Sequence, residues 1–239
     1  MANNITNSLQ FLKCTKRRIE DIYEKYSTFH KSEHRETPDG RLIYKKGDTV
    51  GWLNKSTGIF EVRYKKGRGF FYGEIPYGFV PYMSEPSTEF PDFNKIIPQP
   101  RNIFLEEISK DDKIRLRKEG IPNWYDWNCE FWGTKWSAYS CRTEKDRFLF
   151  ETAWSGVPNV VRELSAQNPD IEIVYKYYDE DLGRNLGQYI FVNGTASCEY
   201  FPEDDSQEAY QLILEVNPNE SESFETTKDG TIKRKIDDD

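Results

Sequence analysis

Residues 121–154, IPNWYDWNCEFWGTKWSAYSCRTEKDRFLFETAW, carry five of the chain's six tryptophans: Trp124, Trp127, Trp132, Trp136 and Trp154. An indole is costly to leave in water, and once buried its N–H needs an acceptor. So many in one run mark either the centre of a core or the walls of an aromatic site. By pattern, WNCEF and KWSAYSCR read as strands with Gly133 allowing a tight bend between them, and RFLFETAW (147–154) reads as a further strand.

Upstream, NSLQFLK (7–13) alternates polar and apolar and reads as a short strand. Thr15 then caps a helix whose Ile19, Ile22, Tyr23 and Tyr26 share one face. Between 30 and 100 glycine punctuates short aromatic and β-branched runs, the pattern of strands and hairpins. A helix is expected within 103–119, capped by Ser109 or Asp111 and stopped at Gly120. Downstream, Pro158 opens a helix carrying Val160, Val161 and Leu164, IEIVYKYY (171–178) is strongly β-prone, QYIFVNG is a strand, and DSQEAYQLILEV keeps helical spacing. With the inserted region removed, the order is β-α-β-β-α-β. The fold class expected is therefore α+β: a ferredoxin-like split βαβ sheet with helices on one face, the other face available, plus a β-rich hairpin insertion.

Several motifs, taken in order, resemble the YubB ferredoxin-like family of phages, plasmids and their bacterial hosts. MANNITNSLQF is similar to its M-x-N-x-x-x-N-x-L opening and FNKIIPQP (93–100) to its F-x-K-I-I-P-x-P element. IPNWYDWNCEFWGTKWSAY is similar to its W-Y-x-W…N-W-G-T-K-W signature, and FLFETAWSGVPNVVRELSAQNPDIEIVYKYYDED to the strand–helix–strand that follows. Phe131 stands where the family has Asn, and Gly156-Val157 where it has a proline pair. The resemblance implies a ferredoxin-like domain over 1–28 and 91–216, a lineage-specific insertion over 29–90 and a mobile-element setting. It brings with it neither an iron–sulfur cluster nor a catalytic activity. The polar, charged residues 217–239 are expected to be a disordered tail.

The net charge of −8 argues against general nucleic-acid coating, yet residues 41–70 hold eight Lys/Arg against Asp48 and Glu61. Among those cations stand Tyr44, Trp52, Tyr64, Phe70 and Phe71. Cations with aromatic platforms suit a single strand of nucleic acid, and RYKKGRGFF resembles an RNA-binding sheet motif, although edge strands also carry lysines simply to resist aggregation. In WGTKW two readings stand side by side. Trp132 and Trp136 wall a groove served by Lys135, or they fill the core; strand alternation would put Lys135 opposite the indoles. The turn Asp179-Glu180-Asp181 can hold a cation or act in acid–base chemistry, but it breaks the calcium-loop spacing and reads better as a solvated turn.

Cys14, Cys129, Cys141 and Cys198 stand alone, and His30 and His34 have no cysteine companion, so no metal and no cofactor is expected. No apolar run is long enough to span a membrane and no signal peptide is visible, which points to the cytoplasm. No G-x-S-x-G elbow, P-loop or kinase set occurs. The functional expectation is a non-enzymatic binding module, contacting nucleic acid through the insertion. The alternatives are a host-protein partner in counter-defence, or a nucleotide-signal sponge built on Trp132, Lys135 and Tyr178. The candidate binding residues are Trp132, Lys135, Trp136, Trp154, Tyr178 and Glu180 in the body, with Lys45, Lys65 and Arg68 in the insertion.

Overall fold

The structure, a computed structural model, describes residues 3–31, 33–64, 66–83, 86–144 and 147–235. The chain divides into two compact units, one of residues 1–28 and 89–239 and one of residues 29–88. It opens with β1 (Asn4–Leu12), α1 (Lys16–Tyr26) and the short β2 (Thr28–His30). The inserted strands are β3 (Arg41–Lys46), β4 (Thr49–Asn54), β5 (Ile59–Tyr64), β6 (Gly67–Tyr72) and β7 (Val80–Pro81), after which β8 (Ser87–Glu89) pairs with β2. Then come α2 (Phe93–Ile96), α3 (Lys110–Glu119), α4 (Trp124–Phe131), β9 (Tyr139–Glu144), β10 (Arg147–Ala153) and α5 (Pro158–Ala166). The chain closes with β11 (Glu172–Asp179), β12 (Gly187–Val192), β13 (Thr195–Tyr200), α6 (Gln207–Val216), a 3-10 turn (Pro218–Ser223), β14 (Phe224–Thr226) and β15 (Ile232–Arg234).

The larger unit is built on a six-stranded sheet in the order β13-β12-β11-β1-β10-β9, antiparallel at every step. Strand β1 is hydrogen-bonded on both sides, Leu9 lying opposite Phe148 on one neighbour and Tyr175 on the other. Its alternation sends Ile5, Asn7, Leu9 and Phe11 to one face. Leu9 and Phe11 there join Phe150, Ile173 and Tyr175 in the main core, closed by Ile22 and Tyr26 of α1 and Val160, Val161 and Leu164 of α5. Asn7 is the polar member of that face, with no exposed surface. Its amide donates to Thr152 Oγ1 and the Ile5 carbonyl, both at 2.9 Å, and accepts from the Tyr175 hydroxyl at 2.6 Å. That hydroxyl in turn accepts from Val157 N at 2.6 Å, while Thr152 Oγ1 donates to Ser155 O at 2.8 Å. Buried polar groups are tolerable only when so partnered. Between Ser155 and Val157 only glycine fits, because a Cβ on Gly156 would stand 2.7 Å from the Tyr177 ring.

Three sequence expectations are corrected. WNCEF is not a strand but the body of α4. Asn123 caps that helix, accepting from Asp126 N at 2.9 Å while its own amide donates to Asp126 Oδ2, so a reciprocal N-terminal box overrides the local β-prone composition. The second sheet face is not left open, because Leu149 and Tyr178 are apolar there and give Ala209, Leu212, Ile213 and Val216 of α6 a surface to bury against. The stretch 217–235, expected to be disordered, is folded onto α6. Phe224 is buried against Tyr210, with ring centres 5.1 Å apart, and the Gln207 side chain bonds both the N–H and the carbonyl of Ile232. Burying one aromatic and one aliphatic side chain offsets the cost of ordering a short charged hairpin.

Asn7→Ala should lower the unfolding free energy by about 2–3 kcal/mol, because the Tyr175 and Thr152 hydroxyls lose a buried partner. Urea denaturation followed by circular dichroism reads this directly, and an unchanged midpoint would remove Asn7 from the account.

Candidate functional site

In the 29–88 unit five strands pair antiparallel in the order β6-β5-β4-β3-β7. One face is a small core: Tyr44, Phe60 and Val62 are buried, with Leu42, Leu53 and Phe79 packed around them. Phe60 lies flat on β4 because Gly51 has no side chain; a Cβ there would meet its ring at 2.3 Å. Alternation sends the other residues to the opposite face, and register lines them in rows. Ile43, Trp52, Glu61 and Phe70 face one another across four strands, Ile59 and Tyr72 stand to one side, and Arg63 and Arg68 to the other. Phe70 and Tyr72 are 55% and 76% exposed, far more than packing alone would leave.

The cations of this face are of two kinds. Arg41 and Arg68 pair with Glu61 at 3.2 and 3.6 Å, and Arg41 also binds Asp39 at 2.7 Å. Arg41 first, and Thr37 second, hold the Asp39 carboxyl below its ordinary range. Arg63 instead lies 5.6 Å over the Trp52 ring, and Lys45 lies 3.8 Å over Tyr82, which Arg35 also covers at 4.7 Å. Among the described residues neither Lys45 nor Arg63 has a carboxylate within ion-pair distance. Arg41, Trp52, Asn54, Ile59, Glu61 and Phe70 line a shallow groove of about 400 Å³. The face therefore offers flat rings, cations without counter-ions and one carboxylate already neutralised.

Of the residues predicted for this region, Lys45 and Arg68 fall on the exposed face and Lys65 lies outside the described residues. Tyr44 is turned the other way and buried, and Tyr64 and Phe71 share its face by alternation. Arg35 and Tyr82 escaped the sequence reading. They flank the sheet from separate loops, Arg35 N bonding Tyr82 O at 2.8 Å, and no spacing in the sequence announces that pairing.

In the larger unit the tryptophan stretch divides. Trp132 is core, 3% exposed, its indole N–H donating to Ile97 O at 3.0 Å and its ring set edge-on to Phe93 and Trp127. Trp136 and Trp154 are surface residues, 44% and 41% exposed. The strand expected over KWSAYSCR (135–142) begins only at Tyr139, so alternation does not apply at 132–136 and Lys135 lies beside the indoles, its ammonium 4.2 Å from the Trp136 ring centre and 5.7 Å from that of Trp154. Thr134, unremarked in the sequence, fixes the segment: its buried hydroxyl donates to Ala153 O at 2.8 Å. Tyr178 and Glu180 do not join Lys135 in one pocket. They line a polar cleft of about 550 Å³ with Glu151, Glu220, Glu222 and Arg234. Tyr178 OH donates to Glu220 at 3.0 Å, and Asn4 donates to Glu180 at 2.9 Å. Asp179 is buried and accepts from Asn3, Asn185 and Asp181 N, whereas Glu180 and Asp181 are exposed, so only the first residue of the acidic turn departs from the solvated reading.

Burial pushes the Cys141 thiol up to about 11 and the Tyr177 phenol up to about 12. Among the described residues no three His, Cys, Asp or Glu side chains converge as a metal site, and no helix is long and apolar enough to cross a membrane.

Residues 135–229 match the family model described as the ferredoxin-like domain in Api92-like protein, which defines the class: an α+β ferredoxin-like domain within the larger unit. A crystal structure of a protein api92 from Yersinia pseudotuberculosis is similar at 21% identity and a TM-score of 0.30, over 35% of this chain and 32% of that one. The likeness thus spans about a third of that protein's length. No curated protein matches the chain significantly. The family-model match gives a ferredoxin-like domain over residues 135–229 and does not carry the YubB name.

Trp132→Ala should cost about 3–5 kcal/mol of stability and Trp136→Ala less than about 1 kcal/mol, because only the first empties a core site. Paired thermal melts test this, and equal losses would contradict the division. Native alkylation at pH 8 should label exposed Cys198 well before Cys141, whose thiol remains protonated there. Reversed order would mean that β9 opens readily.

Proposed function

We propose that the chain is a non-enzymatic binding module whose 29–88 unit holds single-stranded nucleic acid across the exposed sheet face. The observation that carries this reading is the row arrangement: Trp52, Phe70 and Tyr72 stand on one face beside Lys45 and Arg63, cations that have no carboxylate partner among the described residues. Bases stack on any ring face and phosphates are met by cations, so the fit needs no particular sequence. A duplex hides its base faces, which makes a single strand the better match. The larger unit serves as the scaffold. In it β11-β1-β10-β9, with α1 after β1 and α5 after β10, is consistent with the split βαβ plan. Kinship with the YubB family, a phage or mobile-element origin and work in a host cytoplasm complete the proposal. Four free cysteines suit a reducing compartment.

Fluorescence anisotropy of the full chain with labelled oligothymidylate tests the reading. Affinity should fall with salt, each phosphate contact adding about 0.7 to the log–log slope for a single strand, and Lys45→Gln or Arg63→Gln should each remove about that much. Trp52→Ala or Phe70→Ala should weaken binding by roughly 5- to 150-fold, the range for one stacked base. Salt-independent affinity, or variants that bind like the parent, would overturn the assignment.

A further inference from the structure

The indoles of Trp136 and Trp154 form a second cluster that the strand-binding reading leaves unused. We infer that Lys135, Trp136 and Trp154 form a site for a nucleoside phosphate, base against indole and phosphate on the Lys135 ammonium.

The cluster is built rather than incidental. Trp154 sits at φ +71°, a left-handed conformation that bulky residues avoid. It is kept there by its own N–H donating to Asn3 O at 2.9 Å and by Asn185 donating to its carbonyl at 3.1 Å. The Lys135 carbonyl is fixed by Asn128 at 2.9 Å, and Ser155 Oγ donates to Gly133 O at 2.7 Å. Rigid backbone thus presents two half-exposed rings around one ammonium, so the two ring centres lie no farther apart than the sum of its distances to each.

The groups left free specify the ligand. Among the described residues Lys135 has no carboxylate partner and neither indole N–H has an acceptor. Three donor groups and two half-exposed rings remain. A cationic ligand is excluded because Lys135 already occupies the cation position over both rings. A neutral sugar would leave the Lys135 ammonium without a counter-charge. A planar, acceptor-rich anion satisfies the set, and a nucleoside phosphate is that chemistry. Tyr139 stands edge-on to Trp136 and Tyr125 edge-on to Trp154, so each indole is held from its side by a second ring.

Tryptophan fluorescence of the full chain, titrated with adenosine 5′-monophosphate, tests the site. Saturable quenching is expected, with adenosine and inorganic phosphate each binding at least roughly tenfold more weakly than the nucleotide. Lys135→Gln should abolish the advantage of the nucleotide over the nucleoside. Trp154→Gly, which relieves the backbone strain and so preserves the melting temperature, should abolish quenching. Trp52→Ala keeps nucleotide binding, and Trp154→Gly keeps oligothymidylate binding, which separates this site from the sheet face of the 29–88 unit. Absence of saturable quenching, a Lys135→Gln variant that still prefers the nucleotide, or quenching lost in Trp52→Ala but kept in Trp154→Gly would overturn the inference.

Discussion

The side chain of Asn7 is the hub of a polar network buried in the main core, and three strands and a turn are hung on it. Its amide spans β1, β10 and β11 through Thr152 and Tyr175, and the Tyr175 hydroxyl carries the connection to Val157, where α5 begins. A hydrophobic core is tolerant of sliding; a satisfied hydrogen-bond network at full burial is not, because each shift of register strands a donor. Burial also drives the Tyr175 phenol well above its ordinary pKa, so the hydroxyl stays protonated and keeps donating to Asn7. The Trp136–Trp154 surface of the larger unit depends on this frame. Trp154 follows β10 directly, and the turn that displays it is the turn the network holds.

Local patterns with an immediate physical cause were legible in the sequence. The alternation of β1, the Thr15 cap of α1, the Ser109 cap and Gly120 stop of α3, and Pro158 at the head of α5 each depend on neighbouring residues. What failed depended on partners distant in the chain. WNCEF looked like strand because aromatics favour sheets, and the reciprocal Asn123–Asp126 cap outweighed that preference. The tail looked too polar to fold, yet Phe224 alone found a pocket beside Tyr210. Of the two readings of WGTKW, the one that put Lys135 opposite the indoles applied alternation to a segment that is not a strand. The true position of Lys135, between two indoles, follows from Thr134 and Asn128 anchoring the backbone, which no linear pattern reveals.

The two aromatic surfaces obey one rule. In each a cation lies against a ring, Arg63 on Trp52 and Lys135 on Trp136, and among the described residues neither cation has a carboxylate partner. In a core the same rings would be buried edge to edge, as Trp132 is against Phe93. The acidic groups of the chain are handled differently: Glu61 is paired with Arg41 and Arg68, whereas Asp179 and Glu180 are held by the neutral amides of Asn185 and Asn4. Net charge thus misleads about what the surface can hold, since its local distribution decides.

The most direct test of the central claim is to irradiate the full chain bound to oligothymidylate and locate the cross-linked residues by mass spectrometry. Stacked rings react with the bases that lie on them. The account expects adducts on Trp52, Phe70 and Tyr72, with Phe60 and Tyr44 on the opposite face unmodified. Adducts confined to other parts of the chain, with the exposed face of the β3–β6 strands untouched, would contradict it.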